Sequence, residues 1–223
     1  MAQHCMRYAE EYENRFQSLD QAAFHIHLRG HVIAAITESV AFVEALVNEL
    51  FTDVSEGHND ERLAVFPEDA KRRMAQYWRT INSGKTGSIL DKYDSALFLN
   101  DKPILDRGAE PYQSMRLLVR LRNWTVHYYP SNVSEATPHE LGVKLEGRFE
   151  SNALMATSGN AWFPDKALGA GCSRWSVETA LAFVDNFVES FSYEPNYRVI
   201  EYPKDPPATA AEDQSLRETE DSD

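Results

Sequence analysis

Val32-Ile33-Ala34-Ala35-Ile36-Thr37-Glu38-Ser39-Val40-Ala41-Phe42-Val43-Glu44-Ala45-Leu46-Val47-Asn48-Glu49-Leu50 is the stretch that decides the fold. Val32, Ile36, Val40, Val43, Val47 and Leu50 follow a three-four spacing, which lines them up along one stripe of an α-helix. Glu38, Glu44 and Asn48 fall off that stripe. A segment this long with one apolar face predicts a helix ending near Thr52, packed by that face against other elements.

Working outward, the first nineteen or so residues are charged with scattered aromatics and read as a helix, and Ser18 and Gln21 stand at capping-box spacing, marking a break or a new start. Beyond the central stretch, Gly57-His58-Asn59-Asp60 reads as a loop. Pro67 with Glu68 and Asp69 opens a helix that reaches about Asn82 and stops at Ser83-Gly84. Proline suits the first helical position, and acids suit the positive end of the helix dipole. A shorter helix is expected over 86–99, then a loop over 103–110. A helix from Pro111 to about Tyr129 ends before Pro130, which disfavours helix at the residue preceding it. Thr137-Pro138-His139-Glu140 carries a capping box and a proline at the first position, so a short helix follows. Residues 154–171, with Gly159, Pro164, Gly169 and Gly171, read mostly as loop, and Val177, Leu181, Val184, Val188 and Phe191 mark a last helix. No strand alternation and no internal repeat stands out. The expectation is an all-α antiparallel helical bundle in one domain over 1–202, followed by an acidic, disordered tail over 203–223.

Composition agrees with a folded domain: 43% of residues are hydrophobic and 11% aromatic, which a disordered chain would not carry. No uninterrupted apolar run approaches the roughly 20 residues that cross a bilayer, and the N-terminus is too charged for a signal peptide. Cys5 and Cys172 are far apart, with no Cys or His at metal-ligand spacing, so a reduced cytoplasmic chain without a membrane anchor is expected. The formal net charge of −13 argues against non-specific coating of nucleic acid, which needs a basic surface. Seven acids against Lys204 and Arg217 place −5 of it in the tail and leave −8 for the rest. A small local basic cluster still suffices for contact with a single RNA strand.

Three weaker patterns have plain structural explanations. Gly84-Lys85-Thr86 resembles the end of a phosphate-binding loop, but Arg79 stands where the first glycine must be, so it reads as an ordinary loop. His25, His27 and His31 cluster at a helix start, and the four-residue step from His27 to His31 suits a shared metal. No acid or Cys nearby completes a ligand set, so a polar helix face is expected, with no metal and no cofactor. Lys71-Arg72-Arg73 is expected to be a solvated helix face.

The stronger signal lies in 115–129. With Arg116 at zero on a helical wheel, Leu117, Leu121, Trp124 and Tyr128 fall at about 80–140° and form the natural buried stripe. The opposite sector carries Val119 and Val126, edged by Arg122 on one side and by Asn123 and His127 on the other. Two valines on an outer face suggest a second surface over it, and a second copy of the same helix, related by a two-fold axis, fits. An Arg and a His near a helix end also have structural uses, since the His complements the dipole and the Arg can snorkel or pair with an acid.

Leu121-Arg122-Asn123-Trp124-Thr125-Val126-His127-Tyr128-Tyr129-Pro130 resembles the signature of the HEPN superfamily, in which Arg, a polar residue, three variable residues and His stand near the end of a helix. The long helix over 33–51, and Phe163-Pro164-Asp165 followed by Arg174-Trp175-Ser176-Val177, are also similar to relatives in that group. The resemblance covers roughly 21–193, and its specific part is the Arg-to-His motif. It implies a HEPN-type helical bundle, here with extra N-terminal and C-terminal helices, and a metal-independent RNA endonuclease acting at a homodimer cleft, as in some toxins and defence effectors.

In that scheme His127 is the general base or acid on the ribose 2′-hydroxyl and the leaving oxygen; an unperturbed imidazole titrates near about 6.5, which suits proton transfer at neutral pH. Arg122 holds the scissile phosphate, a task for a permanently charged planar fork. Asn123 orients His127 or the phosphate, being four residues away on one face. The His127-Tyr128-Tyr129 run matches toxins whose tyrosine is modified by a nucleotidyltransferase antitoxin, which makes Tyr129 a candidate modification site and such an antitoxin a candidate partner; the plain alternative is a tyrosine packed at the helix end. Arg116 and Arg120 share the stripe of Asn123 and His127 and give a positive rim for RNA, or pair with acids such as Glu38 or Glu44. Two rival readings stay open: a non-catalytic HEPN-like protein that binds a partner by the same face, and a bundle with an apolar small-molecule pocket near Trp162 or Trp175.

Overall fold

A computed structural model describes residues 1–17, 25–58, 60–81, 83–127, 137–191 and 197. The chain is all-helical, with no strand among the described residues. The helices are α1 (Ala2–Phe16), α2 (Ile26–Glu56), α3 (Glu68–Thr80), α4 (Ile89–Leu99), α5 (Tyr112–Val126), α6 (Glu140–Leu145) and α7 (Ala170–Glu189). They belong to one compact unit, Met1–Tyr193. The 203–223 segment lies outside the described residues.

Helix α2 is the hub: α1, α3, α4, α5 and α7 all pack on it. Val32, Ile36, Val40, Val43 and Val47 are almost wholly excluded from solvent. By length and composition alone α2 would cross a membrane, although charged and polar residues interrupt its apolar sequence. Its apolar stripe is covered by neighbouring helices, and the helix runs past Thr52 to Glu56, over 31 residues, with Val54 still buried. Gly57 closes it in the left-handed conformation (φ 71°), with the His58 N–H donating to the Asp53 carbonyl at 3.0 Å. That is a Schellman-type ending, and glycine is the residue that adopts it without a steric cost.

Several boundaries move for local reasons. Ser88, not residue 86, caps α4, its hydroxyl accepting from the Asp91 N–H. A short 3-10 turn, Glu61–Val65, follows the loop after α2, begun by Asp60 accepting from the Arg62 N–H at 2.9 Å. The cap of α6 is His139 rather than Thr137: the Leu141 N–H donates to its Nδ1. Helix α7 begins at Ala170, well before Val177, although Gly169 and Gly171 read as loop residues. A Cβ at Gly171 would collide with the Glu150 backbone, so the glycine serves close packing of the helix start. Glu13 reaches from α1 to that start. Its Oε2 accepts from the Ala170 N–H at 2.6 Å and its Oε1 from the Ala153 N–H at 2.7 Å. A carboxylate here satisfies two otherwise orphaned donors and complements the positive end of α7.

A second polar brace lies under α4. Lys92, 1% exposed, donates from Nζ to the Asn48 Oδ1 (2.9 Å) and to the Gly84 carbonyl (3.1 Å), with Glu44 3.7 Å away. The Gly84-Lys85-Thr86 segment is therefore a loop pinned to α2 and α4.

Candidate functional site

Helix α5 has a broader buried side than a single stripe, because it contacts α2, α7 and α6. Tyr112, Met115, Leu117, Leu118 and Leu121 are buried. Arg116, Arg120, Asn123 and His127 are exposed and lie within about 60° of one another on the helix, forming one outward row. Trp124 is half-buried and Tyr128 lies outside the described residues.

Arg122 follows Met115 and Leu118 on the helix, both fully buried, and with Val126 52% exposed on its other side it stands at the border of the buried face. Arg122 is half-buried, and its Nε is enclosed without a hydrogen-bond partner. Among the described residues no carboxylate pairs with it. An unpaired guanidinium partly withdrawn from water is costly to hold, and it is a ready partner for an anion.

His127 is the first residue past α5 (φ −112°, ψ 57°), its N–H donating to the Asn123 carbonyl at 2.8 Å. It is exposed, as is Asn123, and their side chains form no hydrogen bond to each other. Arg120 pairs with Glu140 (3.3 Å), not with Glu38 or Glu44, since α6 lies nearer than α2 on that side. Lys144 meets the same carboxylate at 2.6 Å. Lys144 first, and then Arg120, hold the Glu140 carboxyl below its usual range. Arg116 is exposed, with no carboxylate paired to it among the described residues.

The flank of this row is built by 139–140 and 163–165. The Trp124 ring lies 4.6 Å from that of Phe163 and 6.1 Å from that of His139, and His139 and Phe163 are 5.0 Å apart. Asp165 then pairs with Arg29 at 2.5 Å, tying this segment to the start of α2. His139 was legible in the sequence only as part of a helix start; its place beside α5 comes from folding.

The remaining sequence candidates are accounted for structurally. His31 stacks on Tyr8 at 5.3 Å, and its pKa is lowered by burial and by the nearby His4 and His27. Among the described residues no group of three His, Cys, Asp or Glu is arranged to hold a metal ion. In the 71–73 run, Lys71 meets Glu68 and Arg73 is engaged by Asp69, Asp101 and the Leu99 carbonyl, leaving Arg72 exposed. The Trp162 indole donates to Ser151 Oγ (2.8 Å), and Phe149 packs against both Trp162 and Trp175. Cys5 and Cys172 are both free and buried. Tyr129 lies outside the described residues. Comparison with protein-family models, with curated proteins and with solved structures gives no match.

Proposed function

We propose that this chain is a metal-independent RNA endonuclease of the HEPN type whose site is the C-terminal end of α5. The observation that carries the reading is the outward row of Arg116, Arg120, Asn123 and His127, with a half-buried Arg122 that no carboxylate pairs with among the described residues. His127 takes the proton of the ribose 2′-hydroxyl, whose oxygen bonds to phosphorus while the bond to the 5′-oxygen breaks. Water, or the protonated His127 of the second copy, gives a proton to that oxygen, leaving a 2′,3′-cyclic phosphate and a 5′-hydroxyl. Arg122 neutralises charge building on the phosphate, and Arg116 binds the backbone of the strand. Val119, half-buried, and Val126, 52% exposed, are the apolar contacts over which a second copy sits, bringing a second set of these residues to the cleft. The setting is cytoplasmic, as a toxin or defence effector, with Tyr129 the candidate residue for modification by an antitoxin.

A second reading, a non-catalytic partner-binding protein of the same type, is favoured by the net charge of −13. Cleavage of total cellular RNA in EDTA by wild type and His127→Ala side by side decides between them. The nuclease reading expects cyclic-phosphate ends with the wild type only; equal, background-level products from both favour the partner-binding protein.

A further inference from the structure

Resting on the ribonuclease reading, we infer that His139 is a second RNA-contacting residue of this site, its Nε2–H donated to a non-bridging phosphate oxygen of the bound strand. Glu140 meets Arg120 and His139 meets Trp124, and Arg120 and Trp124 are one turn apart on α5. Residues 139–140 therefore run beside the last two turns of α5, on the flank next to Arg120 and His127. The ring is fixed there by three independent contacts: Trp124, Phe163 and the Leu141 N–H.

The third of these sets the chemistry. The Leu141 N–H donates to Nδ1 at 3.1 Å, and a ring nitrogen that accepts a hydrogen bond carries no hydrogen. The ring hydrogen is therefore on Nε2, which has no partner among the described residues. His139 is half-buried rather than enclosed in the core. A rigid donor without an acceptor among the described residues, beside an exposed row of two arginines and a histidine, is placed for an anionic ligand. Because Nδ1 is committed to the backbone, His139 serves as a hydrogen-bond donor and leaves proton transfer to His127.

The test uses the full chain and a fluorescent RNA oligonucleotide with 2′-O-methyl groups, which lacks the nucleophile and reports binding alone, together with cleavage of unmodified RNA. His139→Asn keeps the helix cap, since asparagine is among the best cap residues, but removes the Nε2 donor. His139→Gln keeps a donor near the Nε2 position and gives up the cap. The expected result is a loss of about tenfold or more in probe affinity and in kcat/KM for His139→Asn, and partial recovery in His139→Gln, which loses the same ring contacts with Trp124 and Phe163 and so controls for them. Wild-type binding and cleavage by His139→Asn would overturn the inference and leave the roles of Arg122 and His127 intact. A wild type that does not bind the probe would overturn it too. Tight probe binding that weakens in His139→Asn, without any cleavage of RNA, would uphold the contact and sink the ribonuclease reading instead.

Discussion

Replacing Arg122 by Met should make the protein more stable and less active at once. The Arg122 Nε is enclosed without a hydrogen-bond partner, and no carboxylate among the described residues offsets the charge. A buried donor left unsatisfied costs about 1–3 kcal/mol. Arg122 is only half-buried, so most of its guanidinium can still reach water, and the lower end of that range applies. Methionine reproduces the aliphatic stem that packs beside Met115 and Leu118 and removes the orphaned group. The expected gain is about 1 kcal/mol, which for a chain of this size raises the melting temperature by about 2–4 °C. Loss of a charge that stabilises the developing phosphate should lower kcat by about 100-fold to 1,000-fold. Circular dichroism at 222 nm during heating gives the first quantity, and metal-free RNA cleavage gives the second. A stability gain bought with activity is the pattern expected of a residue retained for function. A variant that melts several degrees lower would show that Arg122 is a packing residue, and undiminished cleavage would remove it from the site.

Other perturbations follow from the same geometry. Glu13→Ala orphans the Ala153 and Ala170 N–H groups and should cost about 3 kcal/mol, whereas exposed Glu11→Ala should stay within about 0.5 kcal/mol; urea titration compares them. The lowered pKa of His31 means the unfolded chain binds a proton there more readily than the folded one. Its contribution is present above the unfolded value of about 6.5 and is lost as pH falls through that value towards the folded one, so His31→Gln should flatten the drop in melting temperature between pH 7 and pH 5. The Cys172 thiol, pushed up to about 12 by burial, should resist iodoacetamide at pH 8 in the native state and react after unfolding, which intact-mass analysis would detect. His127→Ala should keep the wild-type melting curve, because the side chain is exposed at a helix end; early melting would mean that it packs against the bundle.

The sequence by itself determined the helical class and the central element. Val32 through Leu50 hold a stripe that only a helix can present, and the caps and prolines divide the rest into helices with roughly correct bounds. It also placed Arg116, Arg120, Asn123 and His127 on one row, because positions on a helix follow from its pitch alone. Tertiary structure decided how wide the buried face is. The wheel puts Arg122 at the border of the open face, but only the packed structure shows that its Nε is enclosed while the residue stays half-buried. The early start of α7 depends on a glutamate more than 150 residues away in the chain, and no local pattern encodes that contact. His139 reached the flank of α5 by the same means. Periodicity is a property of neighbours along the chain, whereas burial, capping from a distance and the meeting of side chains are properties of how helices pack.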